Sequence, residues 1–124
     1  MPQGSRISDA LKLAAELSQI YASVKPELDK TRLIAELDYR CQWLARSGEL
    51  IADAQYILDR KRGEVADKNN NLSATLLREV IARDCAEENR LYKLADRLNA
   101  TLTHQIDALR TMISFDKESL RNSR

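Results

Sequence analysis

The run Asp67-Lys68-Asn69-Asn70-Asn71-Leu72-Ser73 is the one stretch of turn formers between two long segments that both carry helical periodicity. It limits what the chain can fold into. Consecutive Asn residues tolerate left-handed backbone angles and bond their own backbone, so they halt a helix without Gly or Pro. Ser73, or Asn71 before it, suits the cap of the helix that follows. The pattern predicts two helical arms joined by a turn at 68–72.

The first arm is expected to run from about Pro26 to Asp67, because Val24-Lys25-Pro26 steers the chain out of one helix while Pro suits the start of the next. Within it Leu37, Leu44, Ile51, Leu58 and Val65 recur at intervals of seven, and Trp43, Leu50 and Ile57 thicken the stripe. That recurrence is a coiled-coil signal. Ser47-Gly48 is a weak point in helix propensity, but the stripe passes it in phase.

The second arm is expected over about 73–115. Leu91, Ala95, Leu98, Leu102, Gln105, Leu109 and Met112 alternate four- and three-residue steps. Projected backwards, the seam falls on Glu88 and Asp84, so the polar segment 82–90 is expected to splay or face solvent. Before both arms, Ser8 is a candidate cap for a short amphipathic helix over about 8–24, with Leu11, Ala14, Ala15, Leu17, Ile20, Tyr21 and Val24 as apolar positions. Its partner is open: the arms, another subunit or a different protein. Residues 1–6 are polar and read as loose.

The expected fold is therefore all-α: a long antiparallel, coiled-coil-like helical hairpin with a short N-terminal amphipathic helix, one domain over residues 1–124, and oligomeric. Composition agrees, with 31% charged residues, 5% aromatics, three Gly and two Pro. A thin hairpin has little interior, so much of its stripe is expected to be buried by other copies. Leu37, Trp43, Leu44, Ile51, Leu58, Leu91, Leu98, Leu102 and Leu109 are the candidate core and oligomer residues. With no signal sequence and no apolar run of membrane length, the expected compartment is cytoplasmic. A fold-back at about Asn70 sets Cys41 opposite residue 99 and Cys85 opposite residue 55, which is ~20 Å out of register along a helix. Both thiols are expected to be free and buried.

Nothing in the sequence matches a catalytic pattern. His104 lacks ligand-type neighbours, and Glu87, Glu88 and Asp84 lack the Glu-x-x-His partner of a di-metal bundle. No metal, cofactor or enzymatic activity is expected. A net charge of +1 creates no bulk field. The best local concentration of positive charge is Arg60-Lys61-Arg62 with Lys68, Arg78 and Arg83, although Asp59, Glu64, Asp67 and Glu79 are interleaved. A second set, Arg110, Lys117, Arg121 and Arg124, suits a helix C-terminus.

Tyr39-Arg40-Cys41-Gln42-Trp43-Leu44 followed by Ile57-Leu58-Asp59-Arg60-Lys61-Arg62 resembles the UvsY family of phage recombination mediators, whose helix has a Trp-Leu pair and then a basic stretch. Gln105-Ile106-Asp107-Ala108-Leu109-Arg110-Thr111-Met112-Ile113-Ser114 is similar to that family's ending. The resemblance implies an all-helical, ring-like homo-oligomer that binds single-stranded DNA and helps load a RecA-type recombinase as single-strand-binding protein leaves, without enzymatic activity. It assigns DNA contact to Lys61, Arg62 and Lys68, with Arg60 extending the cluster. Ala66 stands where the family has a basic residue, and Asn69, Asn70 and Asn71 replace its aromatic residues, which removes base stacking there. The alternative is an adaptor, assembly chaperone or inhibitor that binds only protein, docking the short helix through Leu13, Leu17, Ile20 and Val24.

Overall fold

A computed structural model of the chain describes residues 6–122. They form α1 (Ala10–Ser23), α2 (Leu33–Lys68), α3 (Ala74–Asp84) and α4 (Ala86–Asn122), which pack against one another. No strand occurs among the described residues. The expectation for residues 1–5 lies outside them.

The cap of α1 is Asp9 rather than Ser8: its carboxylate accepts from the Leu11 amide at 2.9 Å. The Ser8 carbonyl instead accepts from Arg60. Leu13, Leu17, Ile20 and Val24 lie three or four residues apart and form the buried face. Leu11 is 200° around the helix from Leu13 and is 80% exposed, outside the face expected for it. That buried face packs against Trp43, Leu50, Ala54 and Ile57 of α2 and Leu91, Ala95, Leu98 and Leu102 of α4. The arms' apolar stripe over this length is thus covered within one chain, by α1, and not left for other copies.

α2 starts at Leu33, not Pro26. Local hydrogen bonds hold the intervening segment in turns. The Asp29 carboxylate accepts from the Thr31 amide at 3.0 Å and hydroxyl at 2.6 Å, and the Asp29 amide donates to Glu36. Such side-chain-to-backbone bonds compete with helix. From Leu33 the helix continues unbroken through Ser47-Gly48.

The buried seam of α2 is Arg40, Trp43, Ser47, Leu50, Ala54 and Ile57, in alternating steps of three and four. Leu37, Leu44 and Ile51 flank it and are only half-buried, which corrects the expected series in its first half; Leu58 and Val65 are buried farther along. The reason lies in residue type: Arg40, Ser47 and Ala54 hold seam positions that a search for large apolar side chains passes over. On α4 the expected Leu91, Ala95, Leu98, Leu102 and Leu109 are buried, joined by Ile106. The polar seam residues meet across the helices: Arg40 Nε donates to Gln105 Oε1 at 2.7 Å and Asn99 Nδ2 donates to Ser47 Oγ at 2.9 Å. The two pairs run in opposite residue order, so α2 and α4 are antiparallel. Residue 99 therefore faces Ser47 rather than Cys41.

The turn departs from expectation in mechanism. No non-Gly residue among those described has positive φ. Asn69 closes α2 with its side chain, its Nδ2 donating to the Val65 carbonyl at 2.8 Å. Ser73 caps α3 as expected, its hydroxyl accepting from the Leu76 amide. The second arm is broken at Cys85, where the backbone (φ −103°, ψ 14°) leaves helical angles while its amide still donates to Ile81. Past the break the arm reaches Asn122, beyond the expected 115. The break places Cys85 against Leu58 and Val65 in a second small core. Burial there, and then the Glu88 carboxylate, push the Cys85 thiol above its usual range. Cys41, expected to be buried, is exposed on the outer side of α2.

Candidate nucleic-acid interface

Arg60, Lys61 and Arg62 are consecutive on a helix, so their side chains leave α2 about 100° apart. Arg60 turns toward the segment before α1, where Nη2 donates to the Ser8 carbonyl at 2.8 Å. Its guanidinium lies 5.6 Å from the Tyr56 ring centroid, and Nε lies 4.0 Å from Glu64. Lys61 is half-buried. With Arg60 it lines an open pocket of about 430 Å³ that also holds Asp9, Glu64 and Glu88. Arg62 points elsewhere, with Nη1 3.6 Å from Asp59, and with Lys61 it acts electrostatically on Cys85. Lys68 is exposed in the last turn of α2, where a cation suits the helix dipole. Arg78 is exposed on α3, and Arg83 is paired with Asp84 at 3.0 Å.

The expected cluster is therefore a belt around the end of α2, not a single face. Its Arg60–Glu64 and Arg62–Asp59 pairs are long and about half exposed, the Arg83–Asp84 pair is shorter but its cation is well exposed, and pairs of this kind contribute little to stability. From Asp59 to Asp84, Arg60, Lys61, Arg62, Lys68, Arg78 and Arg83 face Asp59, Glu64, Asp67, Glu79 and Asp84. The C-terminal cations Arg110 and Lys117 are exposed and Arg121 pairs with Glu118 at 3.4 Å, while Arg124 lies outside the described residues.

Tyr56 and Arg6 escaped the sequence reading. Tyr56 precedes Arg60 by one helical turn, a legible signal; the arrival of Arg6, 4.1 Å from the ring centroid, was not legible.

Of the acidic residues weighed for a metal, Asp84 pairs with Arg83 and Glu87 with Arg90. Glu87 accepts two bonds from Arg90, at 2.7 and 3.1 Å, and these hold its carboxyl below the usual range. No group of three or more His, Cys, Asp or Glu suited to a metal occurs among the described residues, and His104 is exposed on α4. No helix among them is long and apolar enough to cross a membrane.

At the other end of α2, Ile34 is 71% and Phe115 72% exposed. Phe115 lines an open apolar groove of about 460 Å³ with Leu33 and Met112, flanked by Lys30 and Asp116. Comparisons with protein-family models, with curated proteins and with solved structures found no match.

Proposed function

We propose that the protein is a non-enzymatic accessory factor of phage or bacterial homologous recombination that binds single-stranded DNA, assists a RecA-type recombinase and works as a homo-oligomer of coiled-coil-like hairpins. The observation that supports this reading is the belt of Arg60, Lys61, Arg62 and Lys68 at the end of α2, extended by Arg78 and Arg83 of α3 and weakly neutralised by its neighbours. Repetition of the belt in an oligomer multiplies its effect on a flexible strand.

Arg60→Ala, Lys61→Ala and Arg62→Ala combined is expected to weaken binding of a labelled single strand at least tenfold at low salt. The slope of log affinity against log salt should fall by about 2, since each phosphate contact on a single strand contributes roughly 0.7. Fluorescence anisotropy across a salt series measures both, and unchanged affinity and slope would remove the belt from the interface.

Self-association is part of the same reading, and Ile34 and Phe115 supply exposed apolar surface for it. Ile34→Glu with Phe115→Glu is expected to lower the mass found by light scattering while circular dichroism still shows a helical chain. A wild-type protein that is monomeric at high concentration contradicts this part.

The second reading, an adaptor that binds only protein, draws on the same apolar end. Its docking mode through Leu13, Leu17, Ile20 and Val24 is closed, because those side chains are buried against α2 and α4. An oligomer that ignores DNA in the anisotropy experiment would favour this reading.

A further inference from the structure

We infer that Tyr56, set between Arg6 and Arg60, is the element on which a nucleic-acid base stacks, an assignment that rests on the single-strand-binding reading above.

The local geometry is built from both directions. The segment before α1 is fastened to α2 at two points: the Ile7 amide donates to Asp53 at 3.0 Å, and Arg60 donates to the Ser8 carbonyl at 2.8 Å. These bonds hold Arg6 over the ring, with its guanidinium carbon 4.1 Å from the centroid, while Arg60 reaches the ring from the next turn at 5.6 Å. Tyr56 itself is 42% exposed. Phe115 lies beside the opposite end of α2, and three further aromatic side chains have different work. Tyr21 donates to the Leu94 carbonyl, Tyr39 donates to the Ser23 carbonyl, and Trp43 lies in the core with its ring edge-on to Tyr39.

An aromatic face beside two guanidinium groups is what a single strand requires: a π surface for a base and cations for the phosphates on either side of it. A contact between an exposed ring and a guanidinium is weaker than stacking of a base on the same ring. An incoming base can therefore displace Arg6 from the ring, and the freed guanidinium can turn to a phosphate. The nearby carboxylates do not block this. Asp53 is bonded to the Ile7 amide, Asp9 caps α1, and Asp59 faces Arg62. Glu64, at 4.0 Å from Arg60, and Glu88, which lines the same pocket, are the carboxylates that a phosphate must outcompete.

The test compares full-length wild type, Tyr56→Leu, Tyr56→Phe and Arg6→Ala by fluorescence anisotropy, on an oligothymidylate and on an abasic oligonucleotide of equal length and charge. Circular dichroism melting confirms that each variant is folded. Stacking predicts that wild type prefers the oligothymidylate. Tyr56→Leu should lose that preference, with about tenfold weaker binding to the bases and unchanged binding to the abasic strand, and Tyr56→Phe should keep it. Arg6→Ala should weaken both strands and reduce the salt slope. If wild type binds and Tyr56→Leu matches it on both strands, or loses both equally, the stacking assignment is overturned while single-strand binding stands. If wild type binds neither strand, both fall together.

Discussion

Replacing Arg40 by Ala is expected to lower the free energy of unfolding by about 3 kcal/mol and the melting temperature by roughly 10 °C. Arg40 is 1% exposed, and its guanidinium joins three parts of the chain. Nε donates to Gln105 on α4, Nη2 donates to the Lys25 and Glu27 carbonyls of the connecting segment, and Nη1 lies 3.0 Å from the Glu36 carboxylate. Removing it takes a donor from Gln105 and from the Glu27 carbonyl, while the Lys25 carbonyl keeps Gln105 Nε2 at 3.4 Å, at about 1–3 kcal/mol for each acceptor left buried and unsatisfied. The Glu36 side chain is 24% exposed and partly rehydrates, which keeps the total at the lower end for a broken buried pair. Arg40→Lys retains the charge but not the planar fork and is expected to recover less than half of the loss. Urea denaturation followed by far-ultraviolet circular dichroism measures all of this. A loss within about 0.5 kcal/mol for Arg40→Ala means that the guanidinium does not hold the connecting segment.

Leu17→Ala is expected to cost about 3 kcal/mol, the usual result of deleting a fully packed leucine and leaving its cavity. Leu17 is 2% exposed at the centre of α1, between Leu13 and Ile20. A polar contact reinforces it from the preceding position: the Arg46 guanidinium donates through Nε and Nη2 to the two oxygens of Glu16, the latter at 2.8 Å, and Arg46 is itself 3% exposed. These bonds raise the arginine's already high pKa further, so its guanidinium stays charged throughout the ordinary pH range. Leu17→Asp goes further than Ala, because a carboxylate cannot remain in the apolar groove, and it is expected to release α1 and expose hydrophobic surface to a dye such as ANS. If Leu17→Ala costs less than 0.5 kcal/mol and Leu17→Asp binds no dye, α1 does not cover the arms in solution. Its apolar face would then be available to another protein, which reopens the docking mode of the adaptor reading.

Particular residues show how far the sequence reading reaches. The Leu91, Leu98, Leu102 and Leu109 seam was legible because large apolar side chains repeat at helical steps over several turns. The matching seam of α2 was read one position aside, since Arg40 and Ser47 occupy places normally held by leucine or isoleucine and reach Gln105 and Asn99 on the other arm. Pro26 signalled a helix start, but the turn around Asp29 and the pull of Arg40 on the Lys25 and Glu27 carbonyls delayed it to Leu33. Of the candidate site, the cations Arg60, Lys61, Arg62 and Lys68 were named in advance. Their separation around the helix followed from its geometry, whereas the pairing of Tyr56 with Arg6 depended on a segment fastened to Asp53 from 46 positions away.

What the sequence by itself determined is the helical class, the place of the turn, the Ser73 cap and the apolar side of the last long segment. These depend on periodicity and turn chemistry that act within a few residues. Only the tertiary structure decided that α1 closes over the arms, that the second arm breaks at Cys85, that Cys41 faces outward and that Arg6 meets Tyr56. Each of these depends on the register in which distant segments pack, and that register follows from how side chains of α1, α2 and α4 fill the main core and those around Cys85 fill the smaller one.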